Sequence, residues 1–428
     1  MRVSFTITAG PLAGRVFTFE GHDVFLVGRS PNAHCRFPED DPFFSRVHFL
    51  IEVNPPRCRL TDMSSRNGTF VNGRKVEVVD LADRDEIKAG HTRILVRVEH
   101  ANENLPNITG NAADTQTDLP LLPREIDSPQ TASPHVLTLG PELSASVVMP
   151  RGDQQLPGYK LLREIGRGNM GIVYLARREN DGKEVAVKTV HPTQADNPQI
   201  TKRFLLEAEA LGRFNHPNIV TFHEAGEFGG LLYFAMEFVS GTDVAKVLME
   251  KPRVEIRTAI RLTIQVLEAL SHAHAHGMVH RDIKPANVLL ADLPDGKRQV
   301  KLADFGLARV YRASQISGLT ILGDLGGTPA YMPPEQITNY REVMPAADQY
   351  STAAMLYHML TGKWVFDLPP MPGGLLTILN KEPVPLCSRR PDLPVALEIA
   401  IHKALAKDPA ARYPDVVAFR HALVPFGR

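Results

Sequence analysis

Four residues stand out in the stretch 280–306, which reads HRDIKPANVLLADLPDGKRQVKLADFG: Asp282, Lys284, Asn287 and Asp304. Two carboxylates, an ammonium and an amide at this spacing suit one kind of chemistry, the movement of a phosphoryl group from a magnesium nucleotide to a hydroxyl. One acid takes up the hydroxyl proton, one cation offsets phosphate charge, and two oxygen-bearing side chains hold the metal.

Such a set needs a nucleotide site, and the preceding residues supply its elements. Residues 161–173 read as a strand running into a turn with Gly166, Gly168 and Gly171, where backbone amides can approach phosphate oxygens without a side chain in the way. Alone the turn says little, because three such glycines arise by chance in about one chain in seven of this length. The next segments give it weight. Val185-Ala186-Val187-Lys188 is a strand ending in a cation, and 204–211 is apolar at helical spacing with Glu207 and Glu209 on the other face. Met236-Glu237-Phe238-Val239 comes after an apolar strand. A helix over 256–276, with Ile256, Ile260, Ile264 (or Thr263), Leu267 and Leu270 on one stripe, delivers the chain to the first aspartate. His272, His274 and His276 end that helix; without a matching cysteine or carboxylate cluster they read as exposed residues at the negative end of its dipole.

Together these motifs resemble the eukaryotic-type (Hanks-type) serine/threonine protein kinases of bacteria, over residues 158–428. The resemblance implies an α+β bilobal fold binding ATP with Mg2+ (or Mn2+). It implies that Asp282 is the general base or hydroxyl-orienting acid, that Lys284 stabilises the transferring phosphoryl group, and that Asn287 and Asp304 hold the metal. Lys188, oriented by Glu207 (with Glu209 as the second candidate), would meet the nucleotide phosphates. Ile165, Val173, Ala186 and Leu289 would sandwich the adenine, whose edge meets the backbone of Glu237 and Val239. Thr328 would support Asp282, Glu335 would pair with Arg412, and Asp348 would brace the catalytic loop. The lysine two places after the aspartate is similar to the serine/threonine branch. Residues 307–324 then form the activation segment, with Ser314, Ser317 and Thr320 as phosphosite candidates beside the phosphate-pairing Arg281. Pro333 departs from the alanine usual in the family.

Residues 1–100 have a different grammar. Val3, Phe5 and Ile7 alternate with polar neighbours, as do 47–53 and 94–98, and Asn67-Gly68 and Asn72-Gly73 signal tight turns. Many short strands with frequent turns predict an all-β sandwich. Gly28-Arg29-Ser30, Ser45-Arg46-Val47-His48 and 65–69 (Ser-Arg-Asn-Gly-Thr) resemble the forkhead-associated (FHA) domain, whose loops bind phosphothreonine peptides. By that resemblance Arg29, Ser45 and Arg46 hold the phosphate, Arg66 and Asn67 contact phosphate or peptide backbone, and Gly28, His48 and Gly68 shape the loops. A dianion bound by guanidinium, hydroxyl and backbone donors fits, because charge-assisted hydrogen bonds are about twice as strong as neutral ones.

Between these parts, residues 101–157 hold eight prolines among Ser, Thr, Asn and Asp without periodicity, which reads as a disordered linker. Thr115-Gln116-Thr117-Asp118 places an acid three residues after Thr115, a spacing some FHA domains favour, so the chain's own phosphorylated linker is a candidate ligand beside other phosphothreonine proteins and Ser/Thr protein substrates. Lysine plus arginine equal aspartate plus glutamate at 48 each, giving no global field toward nucleic acid or anionic lipid. Cys35, Cys58 and Cys387 are too few for a disulfide framework, and no run of 18 uncharged apolar residues suggests a membrane span, so the sequence reads as cytoplasmic. The competing reading is a catalytically inactive kinase-fold scaffold or phosphopeptide adaptor. Against it stands the completeness of the set, since a decayed site would have lost at least one of Lys188, Glu207, Asp282, Lys284, Asn287 and Asp304.

Overall fold

A computed structural model describes residues 2–99 and 156–428, apart from 21–22, 32, 55–56, 169–170, 191–197, 210–211, 213–214, 230, 306–328, 339–342 and 371. The expected linker, with Thr115, and the expected activation segment, with Ser314, Ser317, Thr320 and Thr328, lie outside the described residues.

The N-terminal part is a two-sheet β-sandwich. Its strands are β1 (Arg2–Ala9), β2 (Val16–Phe19), β3 (Asp23–Gly28), β4 (Cys35–Arg36), β5 (Phe49–Asn54), β6 (Arg57–Asp62), β7 (Thr69–Val71), β8 (Arg74–Val76), β9 (Val78–Asp80), β10 (Glu86–Ala89) and β11 (Thr92–Glu99). One sheet runs β2-β1-β11-β10-β7-β8, the other β4-β3-β5-β6-β9. The alternation of Val3, Phe5 and Ile7 puts these side chains in the core, where Phe5 stacks on Phe25 at 5.2 Å. Asn72 and Gly73 both take left-handed backbone (φ 49° and 78°) and close the β7–β8 hairpin. Asn67-Gly68 makes a loop between β6 and β7 instead. In β3 burial does not alternate from face to face. Phe25 and Val27 enter the sandwich core, yet Val24 and Leu26 on the opposite face are buried as well.

The C-terminal part is bilobal. Strands β12 (Tyr159–Gly168), β13 (Gly171–Arg178), β14 (Glu184–Val190), β15 (Phe222–Phe228) and β16 (Leu231–Glu237) form an antiparallel sheet in the order β12-β13-β14-β16-β15, accompanied by the helix Pro198–Glu209. Packing starts just ahead of the expected boundary, with Leu156 buried against Tyr159. The second lobe is helical, with a small sheet of β17 (Gly241–Asp243), β18 (Val288–Asp292) and β19 (Arg298–Leu302) at its upper edge. Its central helix, Ile256–Ala275, starts at the N-cap Glu255, whose carboxylate accepts the N–H groups of Arg257 and Thr258. The buried stripe of this helix is wider than expected and includes Thr263 rather than Ile264. The hydroxyl of Thr263 is satisfied by the carbonyl of Ala259 at 2.8 Å. The helix Ala346–Thr361 is buried nearly all round and forms the core of the lobe.

Candidate active site

The helix Ile256–Ala275 ends at Gly277 (φ 73°) and hands the chain to a loop fixed from several sides. His280 is fully buried. Its Nδ1 accepts the N–H of Asp282 at 3.2 Å, and its Nε2 donates to the carbonyl of Ala303 at 2.9 Å, tying the two aspartate-bearing segments together. Arg281 adopts left-handed backbone (φ 70°), which disfavours a residue with a β-carbon. The conformation is held by Asp348, in the first turn of helix Ala346–Thr361. Its Oδ1 accepts the N–H of Arg281 and its Oδ2 that of His280, each at 2.8 Å. Gln336 Nε2 donates to the Arg281 carbonyl at 3.0 Å.

On this frame the candidate residues converge. Lys284 Nζ donates to Asp282 Oδ2 at 2.8 Å, and Asn287 Nδ2 donates to the Asp282 carbonyl at 2.8 Å and to its Oδ2 at 3.0 Å. Across the cleft, β14 carries Lys188, only 5% exposed, so that Nζ reaches both carboxylate oxygens of Asp304 at 2.9 Å. Asp304 also sits at φ 59°. Burial pushes its carboxyl upward, but the charge and hydrogen bond of Lys188, with the charge of Lys284, outweigh that and hold it below the usual carboxylate range. Lys188, expected to face Glu207, here meets Asp304. Glu207 lies on the helix Pro198–Glu209, its side chain outside the described residues.

The remaining predicted residues line up by register. Val173 pairs with Lys188 in the sheet, Gly168 with Gly171, and Ala186 with Met236 at the end of β16. Ile165, Gly166, Val173 and Leu289 are half-buried and Ala186 is buried. The side chain of Glu237 is committed to Lys301 Nζ at 2.9 Å and to the Thr221 N–H at 3.0 Å, and its own N–H donates to the Thr221 carbonyl at 2.8 Å. Val239 lies two residues on, half-buried, outside any strand.

Two of the three helix-end histidines depart from expectation, His272 being half-buried. His274 is not an exposed helix-end residue: its Nε2 lies 2.8 Å from Asp348 Oδ2, and its side chain is 11% exposed. Its phase, one turn after Leu270, places it on the buried stripe, and that signal was readable in the sequence. His276 is exposed, with Nδ1 on the His272 carbonyl at 2.7 Å.

On the sandwich, the three loop motifs meet at one rim. A β-carbon at Gly28 would collide with the carbonyl of Arg46, so the strand end and the 45–48 loop can touch only through glycine. Ser45 Oγ accepts the N–H of Arg66 at 3.0 Å, and Asn67 Nδ2 donates to the Phe43 carbonyl at 2.9 Å. Arg29 Nε donates to the Phe44 carbonyl at 2.6 Å, and its Nη1 donates to the carbonyl of Glu39, bracing the loop from below. Arg46 and Arg66 are exposed. Asp62, which motif reading overlooked, organises the last loop: it accepts from the Ser65 and Thr69 hydroxyls, each at 2.6 Å, and from the Ser65 N–H at 2.9 Å. An aspartate three residues ahead of a serine was the available cue.

His48, fully buried, joins two of these loops. Nδ1 accepts the Ser45 N–H at 3.1 Å, leaving Nε2 protonated toward the Gly68 carbonyl at 3.4 Å. Burial lowers its pKa. The folded sandwich thus binds the neutral ring, whereas the unfolded chain takes up a proton near 6.5, the ordinary histidine value. As pH falls through that value the unfolded state binds more protons, and the stability drops. The thermal midpoint of the N-terminal module is expected to fall between pH 7.5 and 5.5, and His48→Asn should reduce that slope, leaving the part due to His34, whose pKa burial also lowers; a scan by differential scanning fluorimetry checks both.

The bilobal fold and its lysine–carboxylate cleft define the class: a protein kinase, here with a two-sheet β-sandwich ahead of it. Residues 159–413 match the protein kinase domain family and residues 25–90 the FHA domain. The chain belongs to the protein kinase family and carries an N-terminal FHA domain. Serine/threonine-protein kinase PknF of Mycobacterium tuberculosis is 37% identical over 271 residues, covering 62% of this chain and 56% of PknF. Serine/threonine-protein kinase pkn3 of Myxococcus xanthus is 35% identical over 269 residues, covering 62% and 49%. The chain thus spans about half the length of these curated relatives. Among solved structures, the kinase domain of Mycobacterium tuberculosis PknI is similar at 29% identity and a TM-score of 0.51, covering 64% of this chain and 98% of that one. Rad53 1–466 in complex with AMP-PNP covers 100% of both chains at 21% identity and a TM-score of 0.53, a likeness of fold alone. Among the described residues no helix is long and apolar enough to cross a membrane.

Proposed function

We propose that the chain is an active serine/threonine protein kinase that moves the γ-phosphate of ATP to protein hydroxyls, with residues 1–100 reading phosphothreonine, 101–157 as tether and 158–428 as catalyst. The observation that carries this is the meeting of Asp282, Lys284 and Asn287 on one side of the cleft with Lys188 and Asp304 on the other. In the reaction the bond from the γ-phosphorus to the β–γ bridging oxygen breaks, a bond to the substrate hydroxyl oxygen forms, and the hydroxyl proton passes to Asp282. Lys284 offsets charge on the transferring group, while Asn287 fixes the Asp282 carboxylate by bonding both its backbone and its side chain. Lys188 is held ready for the nucleotide phosphates by its pair with Asp304. The donor set fits a hard divalent cation: Asp304 is ionised, and with its nitrogen turned to Asp282, Asn287 has its amide oxygen as the remaining arm. Magnesium or manganese held there would neutralise charge on the β- and γ-phosphate oxygens.

For the sandwich, exposed Arg46 and Arg66 beside Ser45 suit a phosphothreonine dianion, with Arg29 and Asn67 shaping the rim they stand on. Phosphorylated Thr115 is an internal ligand of the right chemistry, and Ser314, Ser317 and Thr320 are the activating sites. Three cysteines are too few for a disulfide framework, which fits a reducing, cytoplasmic setting.

The test is labelled-ATP incorporation by purified protein, wild type beside Asp282→Asn, followed by mapping of modified residues. Loss of the carboxylate should lower incorporation by roughly 10²–10⁴-fold, the range for a general base; equal incorporation would remove Asp282 from the chemistry and point to a contaminant. Mapped sites within 306–328 would support self-activation, and sites within 101–155 the internal ligand.

A further inference from the structure

The outward face of the sheet containing β3 and β5 is built to be covered. Val24 (1% exposed), Leu26 (0%) and Leu50 (0%) lie on it side by side, since Leu26 pairs with Leu50 and Val24 with Glu52 across the ladder. Val47 and Met63 extend the patch, and Glu52 and Thr61 on the same face are buried too. In a sandwich with one face in water, these positions would be polar. A contiguous apolar patch of this kind on a soluble module marks an interaction surface. The five hydrophobic residues do not belong to the sandwich core. They are part of the apolar cluster of the kinase's helical lobe, where the short helix Pro334–Thr338 lies against β3.

That helix is not a neutral platform. It comes directly after the activation segment. Its Glu335 makes the paired bond to Arg412, and its Gln336 donates to the Arg281 carbonyl in the catalytic loop. At the other edge of the patch stands the peptide-reading rim. Val47 is the neighbour of Arg46 in the chain, and the Met63 N–H donates to the His48 carbonyl at 2.9 Å. Arg46 and Arg66 stay exposed while Val47 and Met63 are covered, so rim and docking face are usable at once.

We propose that the β3–β5 face is an intramolecular docking surface for helix Pro334–Thr338 of the same chain, coupling phosphopeptide occupancy at the rim to the anchored end of the activation segment. The coupling half rests on the proposed phosphothreonine binding by the sandwich; the docking half does not. Coupling of this kind is reciprocal: a ligand that shifts the loops bearing Val47 and Met63 alters the dock, and a change in the activation-segment anchor alters peptide affinity.

The experiment uses the full chain with a specific protease site inserted near residue 125, treated with phosphatase so that no phosphothreonine bridges the parts. After cleavage the two halves should co-elute on gel filtration with the mass of one chain. With Leu26→Asp/Leu50→Asp they should separate, and amide exchange at 331–338 in the uncut variant should rise tenfold or more. Retained binding of a phosphothreonine peptide by that variant, read by fluorescence anisotropy, shows that its sandwich is still folded; the milder Leu26→Thr/Leu50→Thr pair serves if it is not. Wild-type halves that separate overturn the docking, and a mass of two chains places the dock between copies and overturns the intramolecular assignment. Adding the peptide to uncut wild type should change exchange at 331–338 at least threefold. Binding without that change overturns the coupling alone, whereas absence of peptide binding with co-elution intact would strike the phosphothreonine reading and leave the dock standing.

Discussion

Asp304→Asn is expected to lower phosphoryl transfer by about 10²–10³-fold or more, the scale for removing one preorganised charged contact from an active site. The substitution keeps shape and removes charge. The Lys188 ammonium then faces an amide oxygen at best, and the oxygen donor set for a divalent cation drops to neutral groups. Its effect on stability is smaller. The Asp304 side chain is 30% exposed and that of Lys188 only 7%. The loss should therefore fall between the roughly 0–1 kcal/mol of a surface pair and the roughly 3–5 kcal/mol of a broken buried pair. A double variant, Lys188→Met/Asp304→Asn, separates the two effects, because it removes the stranded cation: thermal stability should recover in part while activity stays lost. Steady-state kinetics at saturating ATP, beside calorimetry on the same samples, makes the comparison. Activity within tenfold of wild type for Asp304→Asn would show that the carboxylate does not act in transfer.

The largest loss of stability is expected from Arg412→Ala. The Arg412 side chain is fully buried. It makes two parallel bonds to Glu335, at 2.6 and 2.8 Å, and further bonds to the carbonyls of Ala406 and Ala346, both at 2.8 Å, with its guanidinium 5.0 Å from the Tyr350 ring. Truncation strands a carboxylate and several carbonyls at once, at about 3–5 kcal/mol, or on the order of 10 °C in the thermal midpoint of a lobe this size. Lysine is no rescue, because a point charge cannot reproduce the planar fork. Pairing Arg412→Met with Glu335→Gln should recover part of the loss, and a midpoint within about 2 °C of wild type for Arg412→Ala would show that the buried fork adds little.

Much of the site was readable in the chain, for identifiable reasons. Asp282, Lys284 and Asn287 fall within one loop, so their spacing alone implies proximity, as the bonds among them show. The strand carrying Lys188, which runs two residues past it to Val190, and the Asn72-Gly73 turn follow from local rules that tertiary packing did not override. The relations that escaped are those set by packing between distant parts. The pairing of Lys188 with Asp304 spans 116 residues. Likewise, three alternating histidines look alike until helix phase assigns His274 to Asp348. The two-sided burial of β3 could be suspected from the run Val24-Phe25-Leu26-Val27, but its cover could not, because nothing in a strand names the surface it meets.

Holding Arg281 in left-handed backbone sets an order on assembly. The Asp348 carboxylate that fixes it lies 68 residues beyond His280, and Arg412, which clamps the neighbouring helix, comes later still. At translation speeds of about 5–20 residues per second, that delay is roughly 3–14 s for the first brace alone. A nascent chain therefore exposes the motif of a phosphotransferase well before it owns the geometry, and catalytic competence arrives only as the ribosome finishes the far end of the lobe.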